Sequence, residues 1–130
     1  MLVNADIGRI YVAAGDSVQA AQYFRRCLPY LRRGRLRLQL AGALEGCAAL
    51  AVKQGEPATG ARLWGAAAAL REQIGAPMWP VDRPEYERRV ARCREVFGDA
   101  AFQVAFDAGQ ALTWEQAVDE AIVALGGAVS

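Results

Sequence analysis

Shifted against itself by 40 positions, this sequence repeats. Gly15 pairs with Gly55, Asp16 with Glu56, Ala20 with Gly60, Phe24 with Trp64 and Cys27 with Ala67. Each pair keeps its character: a chain-breaking glycine, a carboxylate placed to cap a helix, a small residue, a large aromatic and a second small residue. A period of this length marks a stack of supersecondary units, each burying its apolar face against its neighbour.

In the first unit the spacing of Ile7-Gly8, Tyr11, Ala20, Phe24 and Cys27 predicts two helices joined by a tight turn at Gly15-Asp16. Asp16 with Gln19 three residues on reads as a capping box opening the second helix. Small Ala20 lets the paired backbones approach, and Phe24 fills the space toward the next hairpin. Pro29, late in that helix, is expected to bend it or end it near Leu28. In the second unit a helix from about Leu36 to Gln54 carries Leu40, Leu44, Cys47-Ala48 and Ala51 as one apolar stripe. Pro57 sits just inside the start of its partner helix, where a missing N–H is harmless.

After Ile74 the texture changes. Pro77 and Pro80, three residues apart, make Gly75 to Val81 an extended connector. Asp82 with Glu85 reads as another capping box, opening a helix from about Arg83 to Phe97 with Tyr86, Val90, Cys93 and Phe97 on one face. Gly98-Asp99 ends it and starts a shorter helix carrying Phe102, Ala105 and Phe106. Thr113 with Gln116 caps a last helix, whose stripe is Trp114, Ala117-Val118, Ala121-Ile122 and Leu125, closed by Gly126-Gly127. Nothing alternates with period two, so the expected class is all-α: helical hairpins in an α-α superhelix. Residues 1–74 form two hairpins and 75–82 a Pro-rich connector. Residues 83–130 form a C-terminal helical cap packed as one domain with the repeats.

The 130 residues suit one core. The absence of histidine removes the commonest general base and metal ligand together. Cys27, Cys47 and Cys93 form no C-x-x-C pair and lie among apolar residues, as free, reduced thiols do. Glu85 with Glu87, and Asp119 with Glu120, are not spaced to share a helix face, and Arg88, Arg89 and Arg92 near the first pair suit surface ion pairs. Ser17 has no imidazole to activate it. No enzyme, cofactor or metal site is expected. A formal charge of +1 gives no global field for nucleic acid or membrane. No stretch reaches the roughly 20 apolar residues of a membrane span, and the N-terminus has no basic, apolar leader, so a cytoplasmic protein is expected.

Gly8, Tyr11, Ala20 and Phe24 together resemble the tetratricopeptide repeat, from which the chain departs at Asn4, at Cys27 and in its 40-residue spacing. The ordered pieces ARLWGAAAALREQIGAP, RPEYERRVARCREVFGDAAF and AFDAGQALTWEQAVDEAI resemble a block in the large LuxR-type and antibiotic-regulator-type ATPase transcription factors and related cyclase-linked regulators. The resemblance implies the end of a helical-repeat sensor region, flanked in the family by a nucleotide-binding switch domain and, in LuxR-type members, a helix-turn-helix. This chain has neither a G-x-x-x-x-G-K-[ST] cradle nor a recognition-helix pattern, and it reads as a piece of a longer chain or a relic of one.

The implied function is a non-catalytic protein-interaction or scaffold module, with a small-molecule inducer held between helices as the alternative. The partner is a protein or neighbouring domains of a larger regulator, with no direct nucleic acid contact and no membrane. Residues 1–40 carry a net charge of +5 and the remainder −4. Arg32, Arg33, Arg35 and Arg37 crowd one inter-hairpin turn, where guanidinium forks suit an acidic partner or a solvated turn. Trp79, between prolines, is either a contact anchor or, with Met78, folded back over the repeat end. The candidate partner-binding residues are Asn4, Tyr11, Arg32, Arg33, Arg35 and Trp79. Leu2, Val3, Ile7, Ile10 and Val12 make the first helix apolar enough for a homodimer contact.

Overall fold

The computed structural model describes residues 5–126, which form seven helices and no strand. α1 (Ala5–Ala13) and α2 (Ser17–Gly34) make one hairpin, and α3 (Arg37–Lys53) and α4 (Pro57–Ile74) a second. α5 (Arg83–Phe97), α6 (Asp99–Gln110) and α7 (Trp114–Ala124) follow. The all-α class read from the periodicity is the class observed. α1 packs on α2 and α3, α3 on α2, α4 and α7, and α4 on α5, α6 and α7. Asn4, Leu2 and Val3 lie outside the described residues.

The 40-residue period is present in the backbone hydrogen bonds. The amides of Gly15, Asp16 and Ala20 donate to the carbonyls of Val12, Tyr11 and Asp16 at 3.1, 2.9 and 3.0 Å. Forty positions on, Gly55, Glu56 and Gly60 donate to Val52, Ala51 and Glu56 at 3.1, 2.9 and 3.1 Å. Gly15 and Gly55 both take a positive φ, +79° and +82°, which glycine adopts without a Cβ penalty. The far ends match too. Arg35 and Leu36 donate back to Arg32 and Leu31, and Gly75 and Ala76 to Glu72 and Arg71, the paired bonds of a left-handed helix terminus.

Packing follows the same frame. Ala20, Phe24 and Cys27 are buried, as are their counterparts Gly60, Trp64 and Ala67. Phe24 is wedged between α1 and α3: a methyl group added to Gly8 or to Gly46 would lie 2.4 Å from its ring. The aromatic therefore does fill the space between the hairpins, and it fits because both facing helices present no side chain there.

Three local expectations are corrected. α2 continues through Pro29 to Gly34 instead of stopping near Leu28. Leu28 and Leu31 on either side of the proline are wholly buried. At about 2 kcal/mol for each buried leucine, they offset the roughly 3 kcal/mol of an interior proline. α3 is not striped, because every residue from Leu40 to Ala51 is buried, as befits a helix enclosed by α1, α2, α4 and α7. The Asp82–Glu85 capping box does not form. Asp82 instead pairs with Arg9 at 3.1 Å and Glu85 with Arg89 at 2.7 Å. At the other sites Asp16 accepts the Gln19 amide at 3.1 Å, and Thr113 with Gln116 forms the full reciprocal box.

Candidate functional site

α5 does not close onto the stack as α3 does. Two residues, Arg35 and Leu36, join α2 to α3, whereas eight, 75–82, join α4 to α5. In the 40-residue frame Tyr86 stands where Gly46 stood. Gly46 makes room for the ring of Phe24, but Tyr86 meets Trp64 edge-on, with ring centroids 6.1 Å apart. A bulky ring in place of a glycine, on a helix set off by a longer link, leaves a cleft between α3, α4 and α5.

Trp64 is the floor of that cleft, in ring contact with Tyr86 of α5 and Phe102 of α6. Toward the connector lies a cavity of about 390 Å³ lined by Trp64, Ala68, Pro77, Met78 and Tyr86 with the edge of a buried ion pair. Away from the connector the cleft widens into a groove of about 860 Å³. Its floor is apolar, including Ala49, Val52, Pro57, Trp64 and Cys93. Its rim carries Lys53, Arg88, Arg89 and Arg92 against the single carboxylate of Glu85.

The ion pair is Glu45–Arg71, and Glu45 is the one buried charged residue among the described residues. Arg71 Nε and Nη2 donate to Oε2 and Oε1 of Glu45 at 2.7 and 2.9 Å, while Nη1 donates to the carbonyl of Ala76 at 3.2 Å. The hydrogen bonds that Arg71 donates to Glu45 raise the Arg71 pKa further above its ordinary value. Both carboxylate oxygens are taken, so the pair fixes α3, α4 and the connector to one another. Removing one partner of such a pair costs about 3 kcal/mol or more. Burial, with the Glu45 charge second, pushes the Tyr86 phenol up as well. Glu45 is not among the candidate residues that the sequence suggests, although its signal is visible there as a lone charge between Arg37 and Lys53 in an otherwise uncharged helix.

The residues read from the sequence as partner-binding are not brought to one place. Tyr11 is half-buried against the core beside the α1–α2 turn. The arginine turn lies at the far end of α2, roughly 25 Å away at 1.5 Å per residue. There Arg32 pairs with Asp119 of α7 at 3.1 Å, and Arg35 stands over the ring of Trp114 at 5.7 Å. Arg25, farther back on α2, donates to the carbonyl of Leu125 at 2.9 Å. Arg25 and Arg32 of α2, with Arg35 just past its end, thus hold α7 antiparallel to α2. Arg33 is exposed. Trp79 is 72% exposed while Met78 is half-buried and lines the cavity, so of the two only Met78 folds back. Asn4 lies outside the described residues. Of the first helix, Val12 is buried and Ile10 is 65% exposed.

The thiols Cys27, Cys47 and Cys93 are free and buried. Burial pushes Cys27 up to about 11 from 9.0 and raises the other two. A thiol held in its neutral form is a poor nucleophile and a poor metal ligand. No group of His, Cys, Asp or Glu suited to a metal ion is found among the described residues, and no helix there is long and apolar enough to cross a membrane.

Over 76 residues, 58% of this chain, the sequence is 38% identical to "Putative HTH-type transcriptional regulator Rv0890c" of Mycobacterium tuberculosis strain H37Rv. It matches "Putative HTH-type transcriptional regulator Mb0914c" of Mycobacterium bovis equally well. The chain is similar to a segment of bacterial transcriptional regulators. That segment is 9% of each relative's length. No protein-family model and no solved structure matches the chain.

Proposed function

We infer that this chain is a non-catalytic interaction module of a bacterial transcriptional regulator, a tetratricopeptide-like stack that holds a protein partner or a neighbouring domain of a larger regulator. The observation that carries this reading is the 40-residue recurrence of turn and terminus hydrogen bonds, since stacked hairpins present extended faces for binding. Similarity to the two mycobacterial proteins supports the regulatory setting, and the ordered pieces quoted above suit the sensor region of LuxR-type or antibiotic-regulator-type ATPases. A chain without histidine suits holding better than transforming. Of the surface read from the sequence, Arg33 and Trp79 are exposed members that a partner can reach.

A second reading, inducer sensing, is favoured by the cavity of about 390 Å³ beside Trp64 and Tyr86, a volume within the range of small-ligand sites. Two screens separate the readings. Selection from a displayed random-peptide library is expected to yield binders, while a metabolite library is expected to leave the melting temperature within about 2 °C. A metabolite that raises it further, and loses that effect in Tyr86→Ala, would favour sensing.

A further inference from the structure

We propose that the groove between α3 and α5 is the seat of an acidic, amphipathic helical segment of a protein partner. This rests on the interaction-module reading and names the site and the chemistry of its occupant.

The groove exists because α5 packs chiefly on α4 and α6 and does not lie closely along α3. α1 lies directly on α3, but α5, displaced by the longer connector and by Tyr86 in the glycine's place, packs on α4 and α6. The apolar side of α3 near Ala49 and Val52 thus faces a space of about 860 Å³ where a neighbouring helix would lie in a regular stack. On α5 the lining runs from Glu85 to Val96, about 16 Å at the helical rise, or three turns. A helix of that length laid in the groove would bury its apolar stripe on the floor, the binding mode of helix-in-groove recognition. Val96, 78% exposed and on the groove wall, would be covered by it.

The rim selects the charge of the occupant. Arg89 is committed to Glu85. Lys53 donates to the carbonyl of Val12, a bond that leaves its charge uncompensated. Arg88 and Arg92 are exposed and have no ion-pair partner among the described residues. Carboxylates flanking an apolar stripe would meet Lys53, Arg88 and Arg92 together. A basic or neutral helix would gain nothing from them, so the rim provides specificity as well as attraction.

The test is selection of a displayed random 12-residue library on the intact chain, followed by affinity measurements on the synthesised winners. The expected winners are rich in Asp and Glu, with apolar residues three and four apart. They bind the doubly substituted Arg88→Glu/Arg92→Glu protein about tenfold or more weakly, lose affinity on Val96→Asp, and weaken as salt rises from about 50 to 500 mM. Arg88, Arg92 and Val96 are exposed, and an unchanged melting curve would show that the variants still fold. Winners without acidic enrichment, or winners that bind the double variant equally well, overturn the groove proposal while leaving an interaction module standing. If those winners instead lose affinity on Arg33→Glu or Trp79→Ala, the binding face lies elsewhere. Competition by inorganic phosphate alone at millimolar concentration would make the site a small-anion site and overturn the helical occupant. A library that yields no binder at all overturns both readings.

Discussion

Arg35 is the one non-glycine residue with positive φ, +54°, among the described residues. Its counterpart forty positions on is Gly75, at +66°. A side chain in this region costs about 1–2 kcal/mol, which the contact of the guanidinium with Trp114 repays in part. Replacing Arg35 with alanine keeps the strain and removes the contact, whereas glycine removes both. Chemical denaturation is therefore expected to find Arg35→Gly more stable than Arg35→Ala by about 1 kcal/mol. Equal stabilities would mean that the turn is not left-handed. Cys27 makes a second residue-scale prediction. With its pKa raised to about 11 from 9.0, the folded state keeps the thiol proton longer than the unfolded one. The stabilisation is complete below pH 9 and is lost as pH rises toward 11, amounting to about 2 kcal/mol. Between pH 8 and 11 a Cys27→Ala variant should lose less stability than the parent, and superimposable pH curves would count against the buried neutral thiol.

Among the elements, α4 and α6 are pressed together more closely than side chains would allow. A Cβ on Gly65 would lie 2.0 Å from the carbonyl oxygen of Phe106, and one on Gly109 would lie 1.9 Å from that of Arg62. Backbone cannot yield as a flexible side chain does, so Gly65→Ala or Gly109→Ala should cost about 3 kcal/mol or more. Gly55→Ala, which meets no neighbouring atom but has a φ of +82°, should cost only about 1 kcal/mol. Thermal melts of the three variants would check the order, and Gly55→Ala as the most damaging would contradict the crossing. Much at this scale was legible in the sequence. The end of α5 at Gly98, the paired turns at Gly15 and Gly55, and the Thr113 cap follow from local residue chemistry acting within a few positions. What escaped was decided by distant partners. Pro29 is tolerated because Leu28 and Leu31 are buried by other helices. Asp82 leaves its capping role for Arg9. The stripe on α3 widens to full burial because α7 returns to cover it.

In the whole molecule, opposite charges join the end of α2 to α7. The basic first third meets acidic α7 through Arg32–Asp119, and Arg62 of α4 adds a bond to Glu120 at 2.6 Å. Part of the arginine cluster that looked available for an acidic partner is therefore engaged within the fold. Arg33 stays exposed at that turn, and a second open cationic surface lies on α5, at Arg88 and Arg92. In the sequence these α5 residues look like ordinary surface charges, because the groove beside them arises from a difference between repeats that shows only once the helices are placed. On the proposed reading the repeat, broken at α5, leaves its binding face there. The most direct measurement is an NMR titration of the ¹⁵N-labelled chain with a selected acidic peptide. Amide shifts are expected to concentrate at Ala49, Val52, Lys53, Arg88, Arg92 and Val96. Shifts centred on Arg33 or Trp79, with α3 and α5 unmoved, would contradict that reading.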